Sequence, residues 1–256
     1  MSNPRITWLG HSTVALDVDG VRVLTDPLLR RHNWPLRRRG GEKPDRERWS
    51  DPDVVLLSHL HSDHAQLASL RMVADAPILT APENADWLHR RGLPSGHGIG
   101  DDWWPVGDTG LEVLLVRADH GHRPMPHRPN ATNGHLVRSP GLVTWFAGDT
   151  SWYDEMTHLP DLAGRPIDLA VVPIGGWGSR LSGGHMDAAA AARACAAVGA
   201  RQALAVHWGT LHVPFLSRLP REWMDAPGEE FGEALEQASP GCRRVDLVPG
   251  ESAELS

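Results

Sequence analysis

The sequence predicts a layered α/β fold, in which helices cover β-sheets. Short apolar segments typical of strands dominate the first half of its 256 residues. In the second half such segments alternate with helical ones, and no internal repeat or Pro/Gly-rich linker divides the chain. We therefore expect a single domain over residues 1–256, which is within the size of a large α/β unit.

The N-terminal segments predict a β-hairpin. RITWLG at 5–10 is followed by STVALDVDG at 12–20, in which apolar and polar residues alternate as they do in a half-buried strand. The second segment ends in Asp19-Gly20, a pair that favours a tight hairpin turn. VRVLTDP at 21–27 follows directly, so the turn would join two strands of one sheet.

The next stretch predicts a loop and then a buried strand. Residues 29–50 are polar and contain Pro and Gly, which is typical of a long exposed loop, with Arg37, Arg38 and Arg39 on a solvated surface. DVVLLSH at 53–59 is a continuous apolar run of the kind found in strands that are buried on both faces.

Later segments alternate between the two kinds of element. Strands are predicted in APILTAP (76–82), LEVLLVRADH (111–120), GLVTWFAGDT (141–150), IDLAVVPIGG (167–176), QALAVHWGT (202–210) and RRVDLVPGE (243–251). Helices are predicted in AQLASLRMV (65–73), ENADWLHRRG (83–92), DAAAAARACAAVGA (187–200) and GEEFGEALEQA (228–238). Asp187 is a typical N-cap for the third of these helices, and Gly199 is a typical terminator.

Composition and charge exclude some classes of protein. The net charge is −7 with neutral histidines, whereas a general nucleic-acid surface is normally basic. No apolar run approaches the ~20 residues that span a bilayer, and the N-terminus lacks the segments of a secretory signal. Cys195 and Cys242 are far apart and do not predict a disulfide framework, and Cys195, within the Ala-rich segment, is expected to be a packed thiol. We expect a cytoplasmic protein with no nucleic-acid partner and no stable membrane association.

The stretch LLSHLHSDH at 56–64 is the first sign of chemistry. It places three of the chain's fifteen histidines and an aspartate within six residues, directly after an apolar strand. A hydrophobic core gains little from such crowding, whereas a metal site requires it. In an extended segment His59 and His61 point to the same side, while Asp63 and His64 diverge, so the stretch can serve two neighbouring cations.

Other apolar strands also end in residues that bind metals, namely His120, Asp149 and His207. Strand ends are held by a rigid sheet and meet at one edge. Imidazole suits zinc, iron and nickel, and a carboxylate can bridge two ions, a role for which Asp149 is the candidate. The segment DHGH leaves both His120 and His122 open as the ligand, and His120 is preferred because it lies nearer the strand end.

These motifs resemble the metallo-β-lactamase superfamily. The resemblance rests on HxHxDH after a strand, a later histidine, the aspartate of GDT and a final strand-end histidine, and it covers most of the chain. WLGHST, LTDP, FAGDT, PIGG, HMD and HWGT resemble the branch that contains L-ascorbate-6-phosphate lactonases and N-acyl-phosphatidylethanolamine phospholipase D. The resemblance implies a four-layer αββα sandwich with a metal centre at one edge.

The resemblance also implies a ligand set. The first cation would be held by His59, His61 and His120, and the second by Asp63, His64 and His207, with Asp149 as the bridge. Two divalent ions are expected, with zinc preferred and manganese, iron(II) and nickel(II) compatible. A flavodiiron redox role is not expected, because the redox members of the superfamily carry a glutamate at the position of His61.

Further residues have two open interpretations each. His11 in LGHST either lines the pocket or packs behind it. His185 in HMD, at a helix start, either meets a substrate anion or has no chemical role. Asp26 in LTDP is expected to orient a metal-bound histidine, and Arg123 and Arg128 either bind an anion or lie on an exposed loop. The remaining histidines are assigned to the surface or rim: His32, His89, His97, His127, His135, His158 and His212.

Together these residues predict a dinuclear metal-dependent hydrolase. A hydroxide shared by the two metals would attack the phosphorus or carbonyl carbon of a small anionic ester, either a phosphodiester or a lactone. Asp63 would orient the nucleophile, and His185 or His11 would protonate the leaving group. The alternatives are a nuclease of the same superfamily, which the negative charge disfavours, and a non-catalytic metal-binding protein. An oligomer is compatible with the sequence.

Overall fold

The structure is a computed structural model that describes residues 3–121, 128–129, 131–176, 181–214 and 222–255. Its strands are β1 (Arg5–Gly10), β2 (Thr13–Val18), β3 (Val21–Thr25), β4 (His32–Asn33), β5 (Leu36–Arg38), β6 (Val54–Leu56), β7 (Ile78–Thr80), β8 (Gly96–Gly98), β9 (Trp104–Pro105), β10 (Glu112–Arg117), β11 (Asn133–Arg138), β12 (Val143–Phe146), β13 (Leu169–Pro173), β14 (Gln202–Val206), β15 (Leu211–His212), β16 (Arg243–Arg244) and β17 (Ser252–Glu254). Its α-helices are α1 (Leu67–Leu70), α2 (Pro82–Arg90), α3 (Leu159–Ala163), α4 (Ala188–Ala197) and α5 (Glu222–Ala238). None of these helices combines the length and the apolar character that crossing a bilayer requires.

Two large sheets and one small sheet organise the strands. The first sheet has the order β17-β1-β2-β3-β6-β7-β8, the second has the order β16-β14-β13-β12-β11-β10-β9, and the small sheet is β15-β5-β4. In the first sheet β3, β6 and β7 run parallel, and in the second β12, β13 and β14 do the same. The carboxyl ends of each parallel group therefore meet at one edge of their sheet.

Three hydrophobic cores stack the elements into four layers. The middle core lies between the sheets and contains Val54 and Leu56 of β6 and Val171 of β13. One outer core packs α1 and α2 against the first sheet. The other outer core packs α3, α4 and α5 against the second sheet. The predicted αββα sandwich is therefore confirmed, and it arises because both faces of each sheet are apolar.

Several local predictions are confirmed. Asp19 and Gly20 both have positive φ, at 50° and 83°, as a tight hairpin turn between β2 and β3 requires. The side chain of Asp187 accepts a hydrogen bond from the backbone N–H of Ala190 and caps α4. β6 is buried on both faces, because Val54 and Leu56 face the middle core while Val55 faces α1 and α2.

Several elements differ from the predictions in length or were not predicted. The helix predicted at 65–73 is limited to α1, whose N-cap residue Gln66 makes no capping side-chain bond. The helix predicted at 228–238 begins earlier, at Glu222, and includes Pro227. The strand predicted at 243–251 is reduced to the two residues of β16. β17 was not predicted, and it pairs antiparallel with β1. The elements β8, β9, β11 and α3 were not predicted either.

The prediction of an exposed loop at 29–50 is wrong in part. β4 and β5 form a hairpin there, and β5 pairs with β15, which follows the segment that carries His207. Arg38 is only 5% exposed, contrary to the solvated surface predicted for it, because its guanidinium donates to the backbone carbonyls of Leu9, Leu28 and Arg30. Burial lowers the pKa of Arg38 to about 10, so it stays charged at neutral pH.

We expect Arg38→Ala to lower the free energy of unfolding by about 3 kcal/mol, because it leaves buried carbonyls without donors. The neighbouring Arg37 is exposed, so Arg37→Ala is the matched control and should change stability by less than about 0.5 kcal/mol. Chemical denaturation of both variants measures the difference. Equal stability of the two variants would contradict a bracing role for Arg38.

Candidate metal centre

Three histidines from two sheets form the first cluster, which we define as His59, His61 and His120. His59 and His61 follow β6, and His120 follows β10. The Nδ1 atom of His61 lies 2.9 Å from Nε2 of His59 and 3.0 Å from Nε2 of His120. The first sheet and the second sheet thus each supply ligand atoms to one small volume.

The second cluster is defined as Asp63, His64 and His207. The Nε2 atoms of His64 and His207 are 3.2 Å apart, and Oδ2 of Asp63 lies 4.0 Å from the first and 3.8 Å from the second. Asp149, which follows β12, lies between the clusters. Its Oδ2 is 3.2 Å from Nε2 of both His64 and His207, and 3.9 Å from Nε2 of His59 and His120.

Backbone carbonyls fix the tautomers of two of these histidines. Nδ1 of His120 lies 2.7 Å from the carbonyl oxygen of Gly184, and Nδ1 of His207 lies 2.8 Å from that of Gly175. A carbonyl oxygen can only accept, so both Nδ1 atoms carry the proton. In the neutral imidazoles each Nε2 atom then turns a lone pair toward the cluster, as metal binding requires.

Asp26 and Ser58 orient the two remaining Nε2 ligands. Oδ2 of Asp26 accepts from Nδ1 of His64 at 2.8 Å and from the hydroxyl of Ser58 at 2.7 Å. Because the only hydroxyl proton of Ser58 goes to Asp26, the Ser58 oxygen accepts from Nδ1 of His59 at 3.0 Å. One carboxylate therefore holds a ligand of each cluster, in agreement with the orienting role predicted for Asp26.

The donor set fits a pair of divalent cations. Ligands of a tetrahedral zinc ion with bonds of about 2.0–2.1 Å lie roughly 3.3 Å apart, close to the spacings in both clusters. A single proton on Nδ1 of His61 could satisfy His59 or His120 but not both, whereas a cation satisfies all three. In addition, Oδ1 of Asp149 is buried with no hydrogen-bond partner among the described residues. The roles of the individual residues as ligands remain predictions.

Burial and charge set the protonation of the metal-free clusters. Burial lowers the pKa of every imidazole in the first cluster, that of His61 to about 4. Burial also opposes the charge of His64, but the carboxylates of Asp149 and Asp26 on its two sides outweigh it and raise its pKa well above 6.5. The first cluster is therefore neutral at neutral pH, while His64 carries a proton on both nitrogens.

His11 and His185, the two proposed proton donors, contact different carboxylates of the centre. The side chain of His11 is 0% exposed, and its Nε2 is 2.9 Å from Oδ2 of Asp63. The side chain of His185 is 13% exposed, and its Nε2 is 3.3 Å from Oδ2 of Asp149. Nδ1 of His185 donates to the carbonyl of Ser182 at 3.0 Å. Of the two side chains, only that of His185 is accessible from the solvent.

Other predicted residues have mixed outcomes. Arg128 is half-buried, donates to the carbonyl of Leu60 at 2.7 Å and lies 4.9 Å from the ring centroid of Trp87. It therefore braces the histidine-rich stretch. His135, assigned to the surface, is buried on β11, where the side-chain amide of Asn133 contacts its Nε2. His122, Arg123 and His127 lie outside the described residues, so the choice between His120 and His122 is supported by the position of His120 alone.

Ser58, Gly175 and Gly184 orient predicted ligands but were not among the predicted site residues. The hydroxyl of Ser58 contacts His59, the next residue in the chain. The backbone carbonyls of Gly175 and Gly184 contact ligands from distant segments, His207 and His120 respectively. The glycines of PIGG and GGHMD could have indicated these positions, because glycine is typical where two backbone segments approach closely. A side chain at Gly184 would collide with the backbone of His120, because its Cβ would lie 2.2 Å from the carbonyl oxygen.

Comparisons with known proteins agree with this centre. The family model described as Beta-lactamase superfamily domain matches residues 21–208. A UPF0173 metal-dependent hydrolase from Nitratidesulfovibrio vulgaris strain DP4 is 30% identical over 259 residues, covering 98% of this chain and 95% of the relative. The chain belongs to the metallo-β-lactamase superfamily. Together with its His/Asp clusters, this membership makes it a metal-dependent hydrolase.

Solved structures show the same fold. A metallo hydrolase from the archaeon Ignicoccus hospitalis has a TM-score of 0.72 at 22% identity, covering 100% of this chain and 99% of its own. An isothiocyanate hydrolase from Delia radicum gut bacteria has a TM-score of 0.74 at 18% identity, covering 98% of this chain and 99% of its own. At these identities the likeness concerns the fold and not the substrate.

Gly184→Ala should weaken cation binding at the first cluster at least about tenfold, because the new methyl group displaces the carbonyl that orients His120. Gly183 is the matched control, since a Cβ there meets nothing within 4 Å. Titration of both metal-free variants with Zn²⁺ against a competing chelator measures the change. Wild-type affinity in Gly184→Ala would show that the carbonyl does not position His120.

Cation binding at the second cluster should release about one proton at pH 7, because the raised pKa of His64 keeps a proton on the nitrogen that must face the cation. The affinity of the second cluster for the cation should therefore increase with pH until the pH exceeds the pKa of His64. Binding at the first cluster should release none from its imidazoles, which are already neutral. Calorimetric titrations with Zn²⁺ in buffers of different ionisation enthalpy count the protons, and equal release in both steps would contradict the assignment.

Proposed function

We propose that the protein is a dinuclear hydrolase of small anionic esters, with phosphodiesters and lactones as the two substrate classes. The observation that carries the proposal is Asp149, whose Oδ2 lies within 4 Å of ligand nitrogens of both clusters. Such a shared carboxylate is what two adjacent cations require, because an anion between them offsets their repulsion. A structural zinc site is normally closed by four ligands around one ion.

The residues would divide between the two cations as follows. The first cluster would hold one ion, the second cluster would hold the other, and Asp149 would contact both. Zinc is the preferred ion for this imidazole-rich set, while manganese, iron(II) and nickel(II) are compatible with it. When bound, such ions supply Lewis acidity and lower the pKa of water toward ~7.

The protein's own side chains supply orientation and a proton. Asp63 is held by His11 at 2.9 Å and is positioned to orient a nucleophilic water. His185 is the proton donor to the leaving group, because the Ser182 carbonyl keeps a proton on its Nδ1 and Asp149 faces its Nε2. Its partial exposure favours it over His11, whose side chain is 0% exposed.

Charge and motif resemblance support the ester class. The motifs HMD, PIGG and HWGT resemble the branch of lactonases and phospholipase D described above, whose substrates are esters of phosphate or carboxylate. A net charge of −7 disfavours the alternative of a nuclease. We place the protein in the cytoplasm, with a small molecule as its partner, no nucleic acid and no stable attachment to membranes.

The direct test of this function is a screen of the metal-loaded protein. Protein reloaded with Zn²⁺ or Mn²⁺ is incubated with phosphodiesters, phosphomonoesters and lactones, with nucleic acid and metal-free protein as controls. Hydrolysis of one of the two ester classes, at two bound ions per chain, is expected. Hydrolysis of nucleic acid alone, or one coordinatively saturated ion with no turnover, would contradict the proposal.

His185→Ala should reduce kcat by about 10²–10⁴-fold on substrates with poor leaving groups, because the leaving oxygen then departs without a proton. On nitrophenyl esters, whose leaving group needs no proton, the reduction should be far smaller. His158 is exposed, so His158→Ala is the control, and bound metal is counted for each variant. Equal losses on both kinds of ester would exclude His185 as the proton donor.

A further inference from the structure

The turn between β1 and β2 places His11 directly behind the second cluster. Its side chain is 0% exposed, so a substrate cannot contact it. Its Nε2 lies 2.9 Å from Oδ2 of Asp63, and since a carboxylate only accepts, that nitrogen is the donor. The bond takes one lone pair of Asp63 Oδ2 and leaves the other, together with Oδ1, for a cation.

The main chain of His11 contacts the other end of the same cluster. Its carbonyl oxygen accepts from the backbone N–H of His207 at 3.0 Å and from Nε1 of Trp8 at 2.8 Å. Its own N–H donates to the hydroxyl of Thr210 at 2.8 Å. The imidazole rings of His11 and His207 lie 4.0 Å apart between centroids, at an angle of 37°. One residue thus fixes two ligands that are 144 positions apart in the chain.

The backbone of His11 is in a conformation that is uncommon for any residue other than glycine. Its φ is 54°, in the left-handed region that Gly, Asn and Asp adopt most readily. A turn alone would be more stable with asparagine or glycine at this position. A side chain kept at such an outlier suggests a function for that side chain, and the hydrogen bond that the imidazole makes is the one to Asp63.

We propose that His11 is a positioning residue for the second cation: its imidazole orients Asp63 while its main chain holds His207. The inference rests on the two-cation centre proposed above. It differs from direct ligation of the cation by His11, because Nε2 cannot donate to Asp63 and bind a metal at the same time.

Two substitutions separate these roles. His11→Asn suits the left-handed backbone and keeps the main-chain bonds, but its shorter side chain does not reach Asp63. His11→Gln places an amide N–H near the position of Nε2, so it keeps the donor while replacing imidazole with a weak metal ligand. Wild type and both variants, free of metal, are titrated with Co²⁺ and Zn²⁺, and the Co²⁺ absorption spectrum is recorded at each step.

We expect His11→Asn to bind the second cation about 10–100-fold more weakly, as is typical when a partner of a metal ligand is lost. Its first-cation affinity should match wild type, because the first cluster makes no contact with His11 in the described structure. His11→Gln should bind the second cation within about threefold of wild type and keep the wild-type Co²⁺ spectrum. That rescue is a result that a purely structural role in the turn would not produce.

Two results would overturn the proposal. Wild-type affinity for the second cation in His11→Asn would mean that the imidazole is dispensable. A His11→Gln variant as weak as His11→Asn, with an altered Co²⁺ spectrum, would mean that His11 is a ligand itself. The titration uses no substrate, so a wild type that binds two cations but hydrolyses no ester refutes the proposed substrates alone. A wild type that binds one cation refutes the two-cation centre and this inference with it.

Discussion

The orientation of the imidazole lone pairs is the constraint on which the rest of the centre depends. A histidine binds a cation through a nitrogen that carries no proton, so an acceptor elsewhere must hold the proton on the other nitrogen. Here the acceptors are the carbonyls of Gly184 and Gly175, the hydroxyl of Ser58 and the carboxylate of Asp26. They come from four separate segments, so the centre exists only once the whole edge of the sandwich is assembled.

The same edge contains most of the unfavourable backbone conformations. Among the described residues, five that are not glycine have positive φ, and three of these, His11, Asp26 and His207, belong to the centre or contact it. Asp26 and His207 each directly follow a strand, and His11 lies in the turn between β1 and β2. Such residues cost about 1–2 kcal/mol each. The three cores hold them in place, which is the usual relation between a rigid scaffold and a strained site.

The layered α/β class, the two-faced burial of β6 and the convergence of the strand-end His and Asp residues could be predicted from local patterns. Strand ends converge because the sheets are parallel there, so the positions of His59, Asp149 and His207 after apolar runs were informative. The hairpin of β4 and β5 could not be predicted, because its partner β15 lies more than 170 residues away and its residues are polar. The burial of Arg38 was missed for the same reason, since its acceptors are backbone carbonyls that no sequence pattern reveals.

The balance of charge between carboxylates and imidazoles explains why the polar groups of the centre are tolerated in a buried position. Asp63 and Asp149 are buried, and burial alone would raise the pKa of each carboxyl, but the surrounding imidazoles lower it. The metal-free centre is thus balanced by protons and hydrogen bonds, with His64 charged between Asp26 and Asp149. A cation at the second cluster would replace the proton of His64, which links metal uptake to the charge balance of the folded edge.

The most direct measurement of the central claim is the position of bound metal. Anomalous diffraction above the zinc absorption edge, from crystals of the Zn²⁺-loaded protein, locates each ion independently of activity. The account predicts two peaks per chain, roughly 3.5–4 Å apart, one among His59, His61 and His120 and the other among Asp63, His64 and His207. A single peak, or peaks away from Asp149, would contradict it.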